Sequence, residues 1–281
     1  MKLSIIIPNH NNRMKIEKTI RSIYDSKGIN KHDHEIIVVD DASVDTGVKI
    51  IKKNFPTVKI IELDERKGAA HARNRGIEKA KGDLLLFLDS DMWFNKTTLK
   101  QMIDVLDKET DITFPRIAYE NGKIMYPLMK QEKEYPHISG CFLIRKKSLK
   151  KLDENFDEYY DTYLEDYDFF IRCNYYGLKA EYAKDARVIH GNKDKKTDYS
   201  HRFYLEVRNT LYGKRKLKDI LKKTGMYNPF TSNSLWKAFV CAVFNFAWFN
   251  WYGYDRRENR FDALLRAVSY THLTLPTIYS V

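Results

Sequence analysis

The sequence predicts an α/β protein with a mainly parallel sheet flanked by helices, and three observations carry that expectation. Short β-branched or leucine-rich runs recur at 3–8, 35–40, 58–63 and 83–89. Segments with helical spacing separate them. Three of the runs end in polar or acidic residues: Pro8-Asn9-His10-Asn11, Asp40-Asp41 and Asp89-Ser90-Asp91.

The first run, Leu3 to Pro8, reads as a strand. It is too short for a secretion signal, which sets the expected location as the cytoplasm. Ile16, Ile20, Ile23 and Tyr24 then recur at i, i+4, i+7 and i+8, the signature of an amphipathic helix. Ala69 to Ala80 is an alanine-rich helix for which Gly82 offers the stop. The unbroken Leu84-Leu85-Leu86-Phe87-Leu88 fits a strand covered on both faces. Beyond Asp91 the pattern is mixed. Residues 136–144 and 179–190 read as strands, and Glu165 to Tyr176 reads as a helix stopped by Gly177. Residues 199–217 read as a helix with Phe203, Val207 and Leu211 on one face.

A chain of 281 residues with 43% hydrophobic content suits one large domain, or one domain with an appendage. Its three cysteines, Cys141, Cys173 and Cys241, lack metal-ligand spacing and read as buried free thiols. The net charge is +11, concentrated between Lys193 and Lys223, where 11 Lys/Arg meet 4 Asp/Glu. That bias suits a membrane surface, a phosphate-bearing substrate or nucleic acid, and equally a solvated helix face. Leu235 to Tyr254 is apolar all round and rich in Trp, Phe and Tyr. Its length could span a bilayer, but Asn245 and Asn250 and the aromatic excess better suit an interfacial position at the inner face of the membrane. Val268 to Thr277 match a reading frame of a transposon sequencing adapter, and residues 268–281 are set aside as a non-native tail.

Acidic and polar groups beyond three neighbouring strand ends describe a site, since ligands of open α/β sheets bind there. Asp89 and Asp91 share a face in an extended segment and offer the oxygen ligands that hard cations require. A cation of that kind stabilises a departing diphosphate. Glu165-Asp166 opens a helix, where the pair can either cap the helix or serve as a general base.

These segments resemble glycosyltransferase family 2, whose fold is GT-A. The resemblance rests on Ser4 to Asn11, Glu35 to Ser43, Lys67 to Gly76, Phe87 to Asp91, Ser139-Gly140-Cys141, Asn155 to Glu158, Leu164 to Asp168 and Val188-Ile189-His190, in the family's order. It implies an inverting transferase acting on a UDP- or dTDP-linked sugar, with Mn2+ or Mg2+ as cofactor and a glycan or lipid-linked acceptor. It further implies that Pro8, Asn9 and Asn11, with Asp40 and Asp41, hold the nucleotide, Asp41 accepting from the ring N–H of the base. Lys67, Gly68 and Arg73 would line the diphosphate path, and Ser90 would sit with Asp89 beside the ribose. Asp91 would bind the metal, with Asp89 touching the metal's water shell and His190 as a further contact. Asp166 would be the base and Glu165 would orient the acceptor. The first loop departs from the family pattern, reading Asn9-His10-Asn11 where relatives carry an aromatic before asparagine. On this reading residues 1–217 form the catalytic domain and 218–267 a basic, aromatic helical region that associates with membrane. A sugar nucleotidyltransferase would need a glycine-rich phosphate loop after the first strand, and none is present. A nucleic-acid-binding module is disfavoured because the acidic pocket would repel phosphates.

Overall fold

A computed structural model describes residues 2–28, 33–126, 140–191 and 199–224. Strands β1 (Leu3–Asn9), β2 (His34–Asp40), β3 (Lys59–Glu62) and β4 (Leu84–Leu88) alternate with helices α1 (Arg13–Tyr24), α2 (Gly47–Asn54) and α3 (Gly68–Lys79). The chain continues through β5 (Met92–Phe94), α4 (Thr98–Asp104), β6 (Ile112–Tyr119), β7 (Ile124–Tyr126) and β8 (Cys141–Arg145). It then forms α5 (Glu165–Tyr175), β9 (Ala180–His190), α6 (Tyr199–Lys216) and α7 (Lys218–Thr224).

Among the described residues the strands form one sheet in the order β3-β2-β1-β4-β8-β6-β9-β5, with β7 on β6. The expected parallel sheet is its first half: Ile5 pairs with Ile36 on one side and with Leu86 on the other. The second half is mixed, with β8 antiparallel to β4 and β6 parallel to β9.

Alternation along the strands sorts side chains to two cores. Ile5, Ile7, Val38, Leu86 and Leu88 join Ile16, Ile20 and Ile23 of α1, as the helical spacing predicts. Ile6, Ile37, Val39, Leu85 and Phe87 join the core under α3 and α5. Each such side chain, fully buried, contributes about 1.5–3 kcal/mol. Apolar runs without polar interruption are what two covered faces demand. The second core is aromatic near the site: Phe87 stacks on Phe142 at 4.6 Å and Phe156 on Phe169 at 4.3 Å.

The helix expected to stop at Gly82 ends earlier, at Lys79, with Ala80 extended (φ −68°, ψ 133°). Gly82 serves a close approach instead. A Cβ there would stand 2.5 Å from the Ser4 backbone nitrogen. On α6 Val207 is buried and Leu211 half-buried, but Asn209 and Thr210 are buried as well. Cys141 and Cys173 are free and buried, as expected. Among the described residues no helix is long and apolar enough to cross a membrane. The readings for 136–139, 193–198, Cys241, 235–254 and 268–281 lie outside the described residues.

Candidate functional site

The chain moves from β1 outward to β2 and β3, then returns to place β4 on the other side of β1. That reversal opens a crevice beyond the carboxyl ends of β1, β2 and β4. The polar strand ends converge there. Asn9 pairs in register with Asp40 and donates to it at 2.7 Å. Asp40 also accepts from the Ser43 hydroxyl at 2.7 Å and the Ser43 N–H at 2.9 Å, so its buried carboxylate anchors the loop after β2. Pro8 precedes Asn9 in β1. Asn11 (φ +49°) donates its N–H to Ser43 at 2.8 Å and accepts from the N–H groups of Val44 and Asp45 at 2.9 and 3.2 Å. His10, within the loop that departs from the family pattern, lies with Nδ1 2.6 Å from the Asp41 carbonyl oxygen.

Asp41 is buried and its carboxylate accepts from the N–H groups of Lys67 and Gly68, at 2.7 and 2.9 Å. These open α3, where the helix dipole favours an anion. Lys67 itself points its ammonium to Glu65 at 3.2 Å. Gly68 is required by geometry: its φ is +86°, and a Cβ would fall 1.9 Å from Asp161 Oδ1.

Arg73 occupies the centre. Only 3% exposed, it donates from Nη1 to Glu165 Oε1 at 2.8 Å and from Nη2 to Asp89 Oδ1 at 3.1 Å. Its guanidinium lies 5.3 Å from the centroid of the Phe156 ring, joining the site to the aromatic core. Burial opposes the charge on Arg73, but Asp89 and Glu165 overcome that and raise its pKa. Burial also pushes Asp89 up to about 7, with Asp91 and Glu165 adding to the shift and Arg73 opposing it. Ser90 ties the β4 end to α1: its hydroxyl accepts from the Asn12 amide at 2.9 Å, and its carbonyl from Thr19 at the same distance.

Asp91 Oδ2 lies 3.7 Å from His190 Nε2 at the end of β9, and the Asp91 carbonyl accepts from Gly191 N–H. His190 Nδ1 is buried without a hydrogen-bond partner among the described residues. Asp166 follows Glu165 in the first turn of α5, with Oδ1 accepting from the Tyr167 N–H at 2.9 Å. The structure thus groups Asp89, Arg73 and Glu165, and separately Asp91 with His190, on one crevice. Asn12 is a site residue that the sequence reading passed over.

No group of three His, Cys, Asp or Glu side chains among the described residues makes a ready metal cage. The donor set nonetheless fits a divalent cation that fills its shell with diphosphate oxygens and water, as Mg2+-type ions do. Asp91 with His190 would hold it. Asp89, pushed up by burial with Asp91 and Glu165 adding to the shift, sits where a dication would favour the carboxylate.

The sequence profile of glycosyl transferase family 2 matches residues 4–154, and the chain belongs to that family. The poly(ribitol-phosphate) beta-N-acetylglucosaminyltransferase TarS of Staphylococcus aureus is 32% identical over 127 residues, 44% of this chain and 22% of that protein. The putative teichuronic acid biosynthesis glycosyltransferase TuaG of Bacillus subtilis is 36% identical over 109 residues, 37% of this chain and 41% of its own length. The chain thus spans about a fifth of the first relative and two fifths of the second. S. aureus TarS 1-349 in complex with UDP superposes with a TM-score of 0.64 at 20% identity, covering 97% of this chain and 91% of that one. The mannosyltransferase PcManGT of Pyrobaculum calidifontis, in complex with GDP-Man and Mn2+, gives 0.61 at 17% identity, covering 97% and 87%. These likenesses place the fold in the GT-A class.

Proposed function

We propose that this chain transfers a sugar from a UDP- or dTDP-linked donor to a glycan or lipid-linked acceptor, with inversion at the anomeric carbon. The observation that carries the reading is the buried guanidinium of Arg73, which bridges Asp89 beyond β4 to Glu165 at the start of α5. It couples the acids suited to the donor diphosphate to those suited to the acceptor. The relatives' names, poly(ribitol-phosphate) and teichuronic acid glycosyltransferases, support an anionic polymer or its precursor as acceptor.

Asp166 takes the proton of the acceptor hydroxyl as its oxygen forms the new bond to the anomeric carbon. The bond from that carbon to the diphosphate oxygen breaks on the opposite face, and its electron pair leaves with the nucleoside diphosphate. Glu165 presents Oε2, which is buried with no hydrogen-bond partner among the described residues, to a second acceptor hydroxyl. Asp91 and His190, with Asp89 beside them, would hold Mn2+ or Mg2+, which would supply charge neutralisation of the leaving diphosphate. The loops closed by Asp40, Asp41 and Asn11 form the nucleotide side, and Lys67, Gly68 and Arg73 border the diphosphate. Exposed Lys214, Arg215, Lys218, Lys222 and Lys223 on α6 and α7 suit peripheral contact with anionic lipid.

The test is release of nucleoside diphosphate from a panel of UDP- and dTDP-sugars by the parent chain and by Asp166→Asn. A loss of about 10²–10⁴-fold in Asp166→Asn, with UDP affinity retained, supports the assignment. Equal turnover by both chains contradicts it.

A further inference from the structure

The acidic pair at the start of α5 is delivered by a backbone that ordinary side chains avoid. Asp161, Tyr163 and Leu164 have φ of +60°, +71° and +68°, three left-handed non-glycine residues within four positions. Such a run persists only where the surroundings over-determine it, and it tends to sit where a functional group must be aimed. Leu164 is the residue immediately before Glu165.

The surroundings that hold it come largely from α6. The Asn209 side-chain nitrogen lies 2.9 Å from the Tyr160 carbonyl oxygen, 2.9 Å from that of Thr162 and 2.6 Å from that of Tyr163. Three carbonyls can only accept, so the amide nitrogen must face them. Its oxygen accepts from Arg208 Nε at 2.9 Å, which fixes the same orientation from the other side. Arg208 Nη2 adds bonds to the Tyr159 and Tyr160 carbonyls at 2.9 and 2.7 Å. Asn209 is fully buried, and its amide nitrogen serves carbonyls 46 to 49 positions away rather than a group of its own helix. On the opposite side the loop rests on α3: the Ala70 N–H reaches the Asp161 carbonyl at 3.3 Å.

We propose that Asn209 is a positioning residue: its amide, locked by Arg208, holds the left-handed 161–164 loop so that Glu165 and Asp166 face the acceptor hydroxyls. The inference rests on the transferase reading for its catalytic consequence, and on geometry alone for its structural one. Asn209 lies outside the 4–154 span that matches the family profile. It touches neither the proposed donor groups nor the acids it would aim, so its effect is on turnover rather than on nucleotide affinity.

The experiment compares the parent chain with Asn209→Ala by hydrogen–deuterium exchange, by calorimetric titration with UDP and Mn2+, and by turnover of whichever UDP- or dTDP-sugar the parent accepts. Exchange in peptides spanning 158–168 rises about tenfold or more while β1–β4 stay protected. The UDP affinity stays within about twofold, and kcat falls about 10- to 100-fold with KM for the donor unchanged. Unchanged exchange at 158–168, exchange rising equally throughout the sheet, or unchanged kcat each overturns the proposal. If Asn209→Ala does not fold, Arg208→Ala, which leaves the amide in place and removes its lock and two bonds to the loop carbonyls, is read by the same criteria. A parent chain that turns over no nucleotide sugar defeats the transferase reading, while the exchange comparison still decides the role of Asn209 in the loop.

Discussion

Arg73 stands between Glu165 and Asp89, 2.8 Å from one and 3.1 Å from the other, although the two acids lie 76 positions apart. Removing the cation leaves Glu165 buried with an uncompensated charge. Arg73→Met therefore costs about 3–5 kcal/mol of stability, the scale for breaking one partner out of a buried ion pair. Urea unfolding monitored by circular dichroism measures it. Arg73→Lys retains charge but not the planar fork that reaches two carboxylates, so it recovers only part of the loss. Full recovery by lysine would show that charge alone suffices.

Gly68→Ala places a methyl group 1.9 Å from Asp161 Oδ1 at a φ of +86°. The left-handed backbone and the clash together cost about 2–3 kcal/mol. The displaced loop is the one that carries Glu165 and Asp166, so turnover falls along with stability. Thermal melts and a donor-hydrolysis assay on the same sample check both effects.

The pH dependence of the metal-free protein follows from Asp89. Its pKa in the folded chain is about 7, against an ordinary 3.8, so the folded state holds a proton that the unfolded chain releases between those values. Stability accordingly falls as pH rises from about 4 to about 7. The loss is about 2 kcal/mol, after allowing for the third of the side chain that is exposed. In the presence of a chelator Asp89→Asn flattens this slope. Mn2+ flattens it in the parent chain by offsetting the carboxylate charge, with release of a proton on binding near neutral pH.

Much of the first half of the fold was legible because its information is local. The isoleucine spacing of α1 and the apolar runs of β1 and β4 reflect burial against immediate neighbours. β6 was not legible. Pro115 interrupts it, and the structure accommodates the proline with a register shift against β9 at Pro115/Arg116. The polar strand ends were readable, since the parallel topology brings Asn9, Asp40 and Asp89 to one edge. Their partners were not. The Arg73–Glu165 bond spans 92 positions and the Asn209 contacts 46 to 49, and no short-range pattern encodes either. Asn209 in particular reads as an ordinary polar helix residue until the carbonyls it serves are seen.

Titration of the parent chain and Asp91→Ala with UDP, with and without Mn2+, decides whether the crevice binds a nucleotide through a metal. UDP is expected to bind the parent tightly only when Mn2+ is present, and Asp91→Ala to lose that metal-dependent increment. Equal UDP affinity with and without the metal, or an undiminished Mn2+ effect in Asp91→Ala, would contradict it.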